Sequence, residues 1–79
     1  MKIKCFGIAR DITNASEIFI DGQGSQMNVR ELKLLLEERY AGFKTIKEYM
    51  IAVNQSYVEP TDQVTDQDEI AIIPPVSGG

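Results

Sequence analysis

The sequence predicts an α+β fold in which a small mixed sheet of about five strands packs against one main helix. One segment near the middle of the chain repeats its apolar residues with the 3.6-residue period of a helix. Five shorter segments have the alternating or continuously apolar character of strands. The predicted order is strand, strand, helix, strand, strand, strand. A helix of about 13 residues is long enough to cover one face of such a sheet.

The helix signal is the strongest local signal in the sequence. Asn28 is a favourable N-cap residue, and Glu31 three positions later completes an approximate capping box. Gly42 is a plausible stop for this helix. After it, a helical turn is expected to pack Phe43 and Ile46 under the sheet. The apolar residues that follow the helical period are Val29, Leu32, Leu35, Leu36 and Tyr40.

The strand predictions rest on short apolar segments bounded by turn residues. The predicted strands are residues 2–9, 17–20, 51–53, 57–58 and 69–73. The first has apolar side chains on both faces, which favours a position inside the sheet, and residues 10–14 after it are interpreted as a loop. A tight hairpin is expected around Asn54-Gln55-Ser56. The last strand ends at Pro74-Pro75, because proline has no N–H for a sheet hydrogen bond.

Size and charge limit the classes of protein that fit this sequence. Its 79 residues and ordinary composition indicate one domain, which we place at residues 1–73, with a flexible C-terminal tail at residues 74–79. The formal net charge of −4 is opposite to the basic surface of nucleic-acid-binding proteins, so no nucleic-acid partner is expected. No apolar run has the length of a membrane span or a signal peptide, so we expect no membrane association and a cytoplasmic location.

The sequence lacks the residues of the common catalytic and metal-binding sets. With no histidine and one cysteine, Cys5, it cannot form histidine-based triads, the common Cys/His zinc sites or an internal disulfide. Cys5 lies in a predicted strand, where a small buried apolar role is expected. Gly22-Gln23-Gly24 has too few glycines for a dinucleotide fingerprint and is interpreted as a turn. We therefore expect no catalysis by the chain alone, no metal and no cofactor of its own.

The C-terminal tail is the segment that could carry chemistry. Its six residues, Pro74 to Gly79, can reach at most roughly 20 Å beyond the domain. The two final glycines, Gly78 and Gly79, have no Cβ, so they could thread a narrow channel and leave the last carbonyl carbon open to attack. A terminal carboxyl group has a pKa of about 3.5, and the carboxylate is a poor electrophile. It becomes reactive only if a partner activates it, for example as an acyl-adenylate that a sulfur donor converts to a thiocarboxylate.

Four segments of the chain carry a resemblance to a known family: Phe6 to Arg10, Val29-x-x-Leu32, Ala52-Val53-Asn54-Gln55, and Asp66 to Gly79. They resemble the small-subunit family of molybdopterin synthase, the ubiquitin-like sulfur carriers of molybdenum cofactor biosynthesis. The last segment is the most specific, and the resemblance covers nearly the whole chain. One departure is Gln67, where the family often has glycine; if a positive φ is required there, Gln67 costs about 1 kcal/mol.

The resemblance implies a β-grasp fold and a division of labour among several proteins. An E1-like enzyme would adenylate Gly79 with ATP, and a sulfurtransferase system would convert it to a thiocarboxylate. The tail would then enter the large catalytic subunit, where sulfur passes to the pterin precursor to build the molybdopterin dithiolene. The catalytic side chains would belong to that subunit.

The resemblance also implies which residues contact the partner. They are Pro74, Pro75, Val76 and Ser77 at the base of the tail, together with Phe6 and Arg10. A core position for Phe6 is as compatible with the sequence as an interface position, and Arg10 could be a solvated loop charge.

Three other functions are compatible with the same residues. The chain could carry sulfur for thiamin or for a thiolated tRNA base, although the Pro-Pro-Val sequence before the tail end favours the molybdopterin branch. It could be a protein modifier that joins Gly79 to lysines. It could also be a β-grasp adaptor whose tail is chemically inert.

Overall fold

The computed structural model describes residues 1–21, 26–46 and 48–74. The turn predicted at Gly22-Gln23-Gly24 and the tail residues after Pro74 lie outside these ranges, so those predictions stay untested. The strands are β1 (Lys2–Cys5), β2 (Glu17–Phe19), β3 (Met27–Asn28), β4 (Met50–Val53), β5 (Ser56–Tyr57), β6 (Gln63–Val64) and β7 (Glu69–Ile73). The helices are α1 (Ile8–Thr13), α2 (Val29–Arg39) and a 3-10 helix (Ala41–Thr45).

The main sheet of the described residues has the strand order β2-β1-β7-β4-β5. Strand β1 pairs in parallel with β7, whereas the other neighbours in this sheet are antiparallel. Strands β3 and β6 form a separate antiparallel pair. The predicted α+β class, with a mixed five-stranded sheet on one main helix, is therefore confirmed. Strand β1 lies between β2 and β7, as predicted, but only its Ile3 and Cys5 face is buried, since Lys2 and Lys4 occupy the other face.

Helix α2 begins where the capping residues predict. The Oδ1 atom of Asn28 accepts a hydrogen bond from the N–H of Glu31 at 2.8 Å, and Oε1 of Glu31 accepts one from the N–H of Asn28 at 3.1 Å. These bonds satisfy N–H groups that have no partner within the helix. The predicted stop is wrong, because α2 ends at Arg39 and Gly42 lies inside the 3-10 helix that follows.

The core lies between α2 and the sheet. Phe43 of the 3-10 helix is completely buried, and its ring contacts Tyr49 with a centroid separation of 5.5 Å. Ile46 is partly buried against the same core, which confirms the packing expected for this segment. The buried residues of α2 are Val29, Leu32 and Leu36.

The first strand is shorter than predicted, and a helix replaces the predicted loop. Strand β1 ends at Cys5, and α1 occupies Ile8–Thr13. Gly7 interrupts the strand with a φ of +54°, a conformation that other residues rarely adopt. Ala9 is then completely buried on the inner side of α1. The alternation of Phe6 and Ile8 imitates a strand, but both side chains are about half exposed.

The hairpin prediction is confirmed with slightly different boundaries. Strands β4 and β5 pair through Ala52 with Tyr57 and Val53 with Ser56. Asn54 and Gln55 form the turn with φ values of 52° and 70°. Positive φ at both central residues is typical of a type I′ turn, which matches the twist of the two strands.

Candidate functional site

The base of the tail lies beside the end of the first strand. Strand β1 runs parallel to β7 with Cys5 opposite Ile72, so the residues after Cys5 accompany the residues after Ile72. Strand β7 ends at Ile73, and Pro74 follows. A Cβ atom added to Gly7 would lie 3.1 Å from Cγ of Pro74. The Phe6-Gly7 segment therefore borders the point where the chain leaves the sheet.

Three of the predicted site residues lie in the described part of the chain, and the others do not. Pro74 is partly buried at the end of β7, Phe6 lies on the β1–α1 connection, and Arg10 lies on α1. Pro75, Val76, Ser77, Gly78 and Gly79 lie outside the described residues. Their predicted roles therefore stay predictions.

Phe6 and Arg10 are both available to a partner. Phe6 is 49% exposed, which excludes the core position that the sequence left open. Arg10 is exposed on helix α1, not on a loop, and no ion pair links it to a carboxylate within the described residues. The two side chains line one shallow hollow, together with Lys4, Cys5, Gly7, Ser16 and Glu17.

The sheet face opposite α2 is open and mostly apolar. Along β7, Ile70 and Ile72 are completely buried toward the helix, so Glu69, Ala71 and Ile73 point to the other face. A second hollow on this face is lined by Lys4, Phe6, Ala52, Gln55, Tyr57, Glu69, Ala71 and Ile73. Large exposed apolar side chains of the described residues include Phe6, Phe19, Met50 and Tyr57. Contiguous apolar surface of this kind marks interaction sites on small proteins.

Two ion pairs cross the open face. Lys4 Nζ lies 3.0 Å from an oxygen of Glu69, and Lys2 Nζ lies 3.9 Å from an oxygen of Glu17. Both pairs join neighbouring strands and are partly exposed, so each contributes little to stability. The Lys4–Glu69 pair lines the second hollow, so the open face combines charged side chains with apolar ones.

The third segment of the resemblance, Ala52-Val53-Asn54-Gln55, has a structural role that sequence reasoning missed. Nδ2 of Asn54 donates to Oδ1 of Asp68 at 3.0 Å, and Oδ1 of Asn54 accepts from the N–H of Glu69 at 3.0 Å. Oδ2 of Asp68 accepts from the N–H of Thr65 at 2.8 Å, and this bond with that from Asn54 lowers the pKa of the Asp68 carboxyl. The hairpin turn is thereby tied to the start of β7. Gln67 does not have a positive φ, so the strain considered for it does not arise.

Cys5 is a core residue, as the sequence predicts. Its side chain is 2% exposed and faces α2 together with Ile3. Burial raises the pKa of its thiol above the ordinary value of 9.0, and a weaker contribution from Thr13 lowers it. At neutral pH the sulfur is therefore a protonated, poorly nucleophilic thiol. In the described ranges, no group of three or more His, Cys, Asp and Glu residues could hold a metal ion, and no helix is long and apolar enough to cross a membrane.

Comparison with known proteins places this fold and tail in one family. The ThiS family model matches residues 3–79. The molybdopterin synthase sulfur carrier subunit of Dictyostelium discoideum is 34% identical over 84 residues, which cover 99% of this chain and 94% of the relative.

Two solved structures extend this likeness to three dimensions. The putative molybdopterin converting factor subunit 1 of Pyrococcus furiosus is 27% identical with a TM-score of 0.79, and the match covers 95% of each chain. A chain from the complex of subunits 1 and 2 of the molybdopterin-converting factor of Helicobacter pylori is 25% identical with a TM-score of 0.66. That match covers 99% of this chain and 96% of the other. The ubiquitin-like β-grasp fold is thereby confirmed, and the chain belongs to the ThiS family.

Proposed function

We propose that this chain is the sulfur carrier subunit of a molybdopterin synthase and that the carboxylate of Gly79 is the group it carries. The observation that carries the proposal is the position of the tail base. Pro74 leaves the sheet beside Gly7 and the half-exposed Phe6, at one end of an open apolar face. A partner that covers this face receives the tail at the edge of the same interface.

The chemistry of the carrier requires two activation steps by partners. A carboxylate oxygen of Gly79 attacks the α-phosphorus of ATP, pyrophosphate leaves, and an acyl-adenylate forms. A hydrosulfide equivalent then attacks the carbonyl carbon and AMP leaves, so that a thiocarboxylate and a proton result. Sulfur passes from the thiocarboxylate to the pterin precursor, and water restores the carboxylate. Gly79 is therefore a co-substrate of its partners.

The open face is the docking surface for the large catalytic subunit. The Helicobacter pylori structure contains a complex of subunits 1 and 2, which supports a heteromeric assembly of this kind. Phe6, Met50 and Tyr57 provide exposed apolar side chains on the open face, and Arg10 provides a cation in the hollow that Phe6 and Gly7 also line. A matching partner surface is apolar at its centre and has a carboxylate near Arg10.

The remaining partners follow from the chemistry of Gly79. An E1-like adenylating enzyme binds ATP, and a sulfurtransferase system delivers the sulfur, so this chain needs no cofactor of its own. Sulfur delivery to thiamin or a tRNA base, conjugation to lysines and an inert tail are not favoured. The relative from Dictyostelium discoideum, which matches 99% of this chain, is named as a molybdopterin synthase sulfur carrier subunit.

Intact mass tests this function directly. The chain is incubated with its adenylating enzyme, ATP and a sulfur source, and we expect one oxygen-for-sulfur exchange at Gly79. Deletion of Gly79 should abolish the exchange and leave the circular dichroism spectrum unchanged. A folded wild-type chain that never gains sulfur contradicts the proposal. Recovery of a thiazole synthase instead of a molybdopterin synthase large subunit from a pull-down would assign the carrier to thiamin.

A further inference from the structure

The connection between β1 and α1 contains a backbone conformation that only glycine adopts readily. Gly7 has φ 54° and ψ −128°. A Cβ atom makes this region costly for other residues, whereas glycine enters it freely. The conformation therefore needs glycine at this position, and it occurs directly beside the base of the tail.

The same glycine provides the space that Pro74 occupies. A Cβ atom on Gly7 would lie 3.1 Å from Cγ of Pro74, which is shorter than the roughly 3.5–4.0 Å of a favourable carbon–carbon contact. The pyrrolidine ring of Pro74 is thus seated against the bare α-carbon. Since proline also fixes its own φ, a ring held on one side orients the backbone that follows it.

The support on the Gly7 side is firm. The carbonyl oxygen of Gly7 accepts hydrogen bonds from the N–H groups of Arg10 at 3.1 Å and Asp11 at 3.3 Å. The carbonyl oxygen of Phe6 accepts one from the N–H of Ala9 at 3.0 Å, and Ala9 is completely buried. Because this loop is tied to the core, we expect the contact between a larger side chain at position 7 and Pro74 to displace Pro74 more than the loop.

We propose that Gly7 is a positioning residue for sulfur transfer, because it seats Pro74 and so sets the direction in which the chain leaves the sheet at Pro74. This role rests on the proposed function, since direction matters only if the tail must reach a partner's active site. Misplacement of a reacting group by about 1 Å can cost on the order of 100-fold in rate. A Gly7→Ala substitution is therefore expected to lower the rate of sulfur transfer by about 10-fold or more.

The test compares thiocarboxylated carriers in single-turnover reactions with the large subunit and its pterin substrate. The matched control is Gly42→Ala, whose Cβ would lie 2.9 Å from Cγ2 of Ile12 on α1 and not against Pro74. Both substitutions should lower Tm, but only Gly7→Ala should lower the maximal rate. The affinity for the large subunit should change little, because the open face is unaltered. A loss of affinity with an unchanged maximal rate, or equal rate losses in both variants, would overturn the proposal.

A double-substitution cycle tests the contact itself. Pro74→Ala removes the ring. Adding Gly7→Ala to Pro74→Ala should therefore lower the rate of sulfur transfer much less than Gly7→Ala lowers it in the wild-type carrier. Effects that simply multiply would show that the two residues act independently and would overturn the proposal. If Gly7→Ala does not fold, the contact is tested in the wild-type carrier by the nuclear Overhauser effect between the Hα atoms of Gly7 and the ring of Pro74. Absence of this effect would contradict the proposed contact.

The outcomes also separate this proposal from the one on which it rests. A wild-type thiocarboxylate that transfers no sulfur to the synthase contradicts the proposed function. A wild-type carrier that transfers sulfur, with Gly7→Ala equally fast, contradicts only the positioning role.

Discussion

Asn54 and Asp68 are joined by a 3.0 Å hydrogen bond that ties the β4–β5 turn to the residue before β7. The same Asn54 side chain accepts a bond from the N–H of Glu69, and the backbone N–H of Asn54 donates to the carbonyl oxygen of Glu69 at 2.7 Å. These bonds fix the beginning of the strand that ends at Pro74. Asn54 and Asp68, which belong to segments of the family resemblance, therefore have a structural role. We call these two residues and the hydrogen bonds of Asn54 to Asp68 and Glu69 the clip.

The clip makes the stability of the fold depend on pH. Hydrogen bonds from the N–H of Thr65 and the side chain of Asn54 hold the pKa of Asp68 below its ordinary value of 3.8. A carboxyl with a lowered folded-state pKa stabilises the fold fully above its unfolded pKa, and this contribution is lost as pH falls through the folded pKa. Below about pH 4, the free energy of unfolding of the wild type, measured with urea, should therefore fall more steeply than that of Asp68→Asn. Parallel pH profiles of the two proteins would contradict the assignment.

Removal of the Asn54 side chain should weaken the clip at every pH. Asn54→Ala loses two side-chain hydrogen bonds and places alanine at a φ of 52°, so a loss of about 1–3 kcal/mol is expected. Thermal and urea unfolding measure it. Asn14→Ala is a suitable control because it has a similar φ of 57° without the clip. An equal loss in both variants would attribute the effect to backbone conformation alone.

Gln55 is a position where the natural residue is not the most stable one. Its φ of 70° costs a non-glycine residue roughly 1 kcal/mol, and glycine is preferred at this position of a type I′ turn. Gln55→Gly should therefore raise the free energy of unfolding by about 0.5–1 kcal/mol. Gln63→Gly in strand β6 should lower it, since glycine weakens strands. A destabilised Gln55→Gly variant would show that the Gln55 side chain stabilises the folded protein through contacts.

Tyr49 combines a buried ring with a hydroxyl group that has no hydrogen-bond partner among the described residues. Burial, with a smaller contribution from Glu37, raises its pKa to about 12. Lys33 Nζ lies 4.7 Å from the ring centroid and donates to the carbonyl oxygen of Tyr49 at 2.8 Å. Tyr49→Phe keeps both contacts and removes the unsatisfied hydroxyl, so a gain of about 1 kcal/mol is expected. If urea unfolding shows a lower free energy of unfolding for Tyr49→Phe than for the wild type, the hydroxyl group has a hydrogen-bond partner, such as a buried water.

The sequence predicts local features of this fold well and its non-local features poorly. Asn28 and Glu31 interact across one helical turn, so the start of α2 follows from their spacing alone. Helix α1 does not follow, because the alternation of Phe6 and Ile8 is typical of a strand. Its formation depends on the backbone of Gly7 and on the burial of Ala9 against the rest of the fold. The two-residue strands β3 and β6 also escaped prediction, since neither is long enough to show a period.

The candidate site also has local features that the sequence predicts and non-local features that it does not. The tail and the absence of catalytic sets are visible in the sequence, and the resemblance points to Phe6 and Arg10. The exposure of Phe6 could not be predicted, because it depends on a sheet face that α2 leaves uncovered. The contact between Gly7 and Pro74 depends on the parallel pairing of β1 with β7, which joins the two ends of the chain. No local pattern contains that information.

Phe6 gives the clearest test of the open face as the docking surface. It is 49% exposed and lines the hollows on both sides of β1, so a large subunit that covers this face should bury its ring. Truncation of a buried aromatic residue at an interface typically costs about 2 kcal/mol or more. Phe6→Asp should therefore weaken binding to the large subunit by about 30-fold or more, as measured by calorimetry. The matched control is Leu34→Asp, which places the same charge on α2, where Leu34 is 60% exposed. Equal weakening by both variants, or none by Phe6→Asp, would move the docking surface away from the open face.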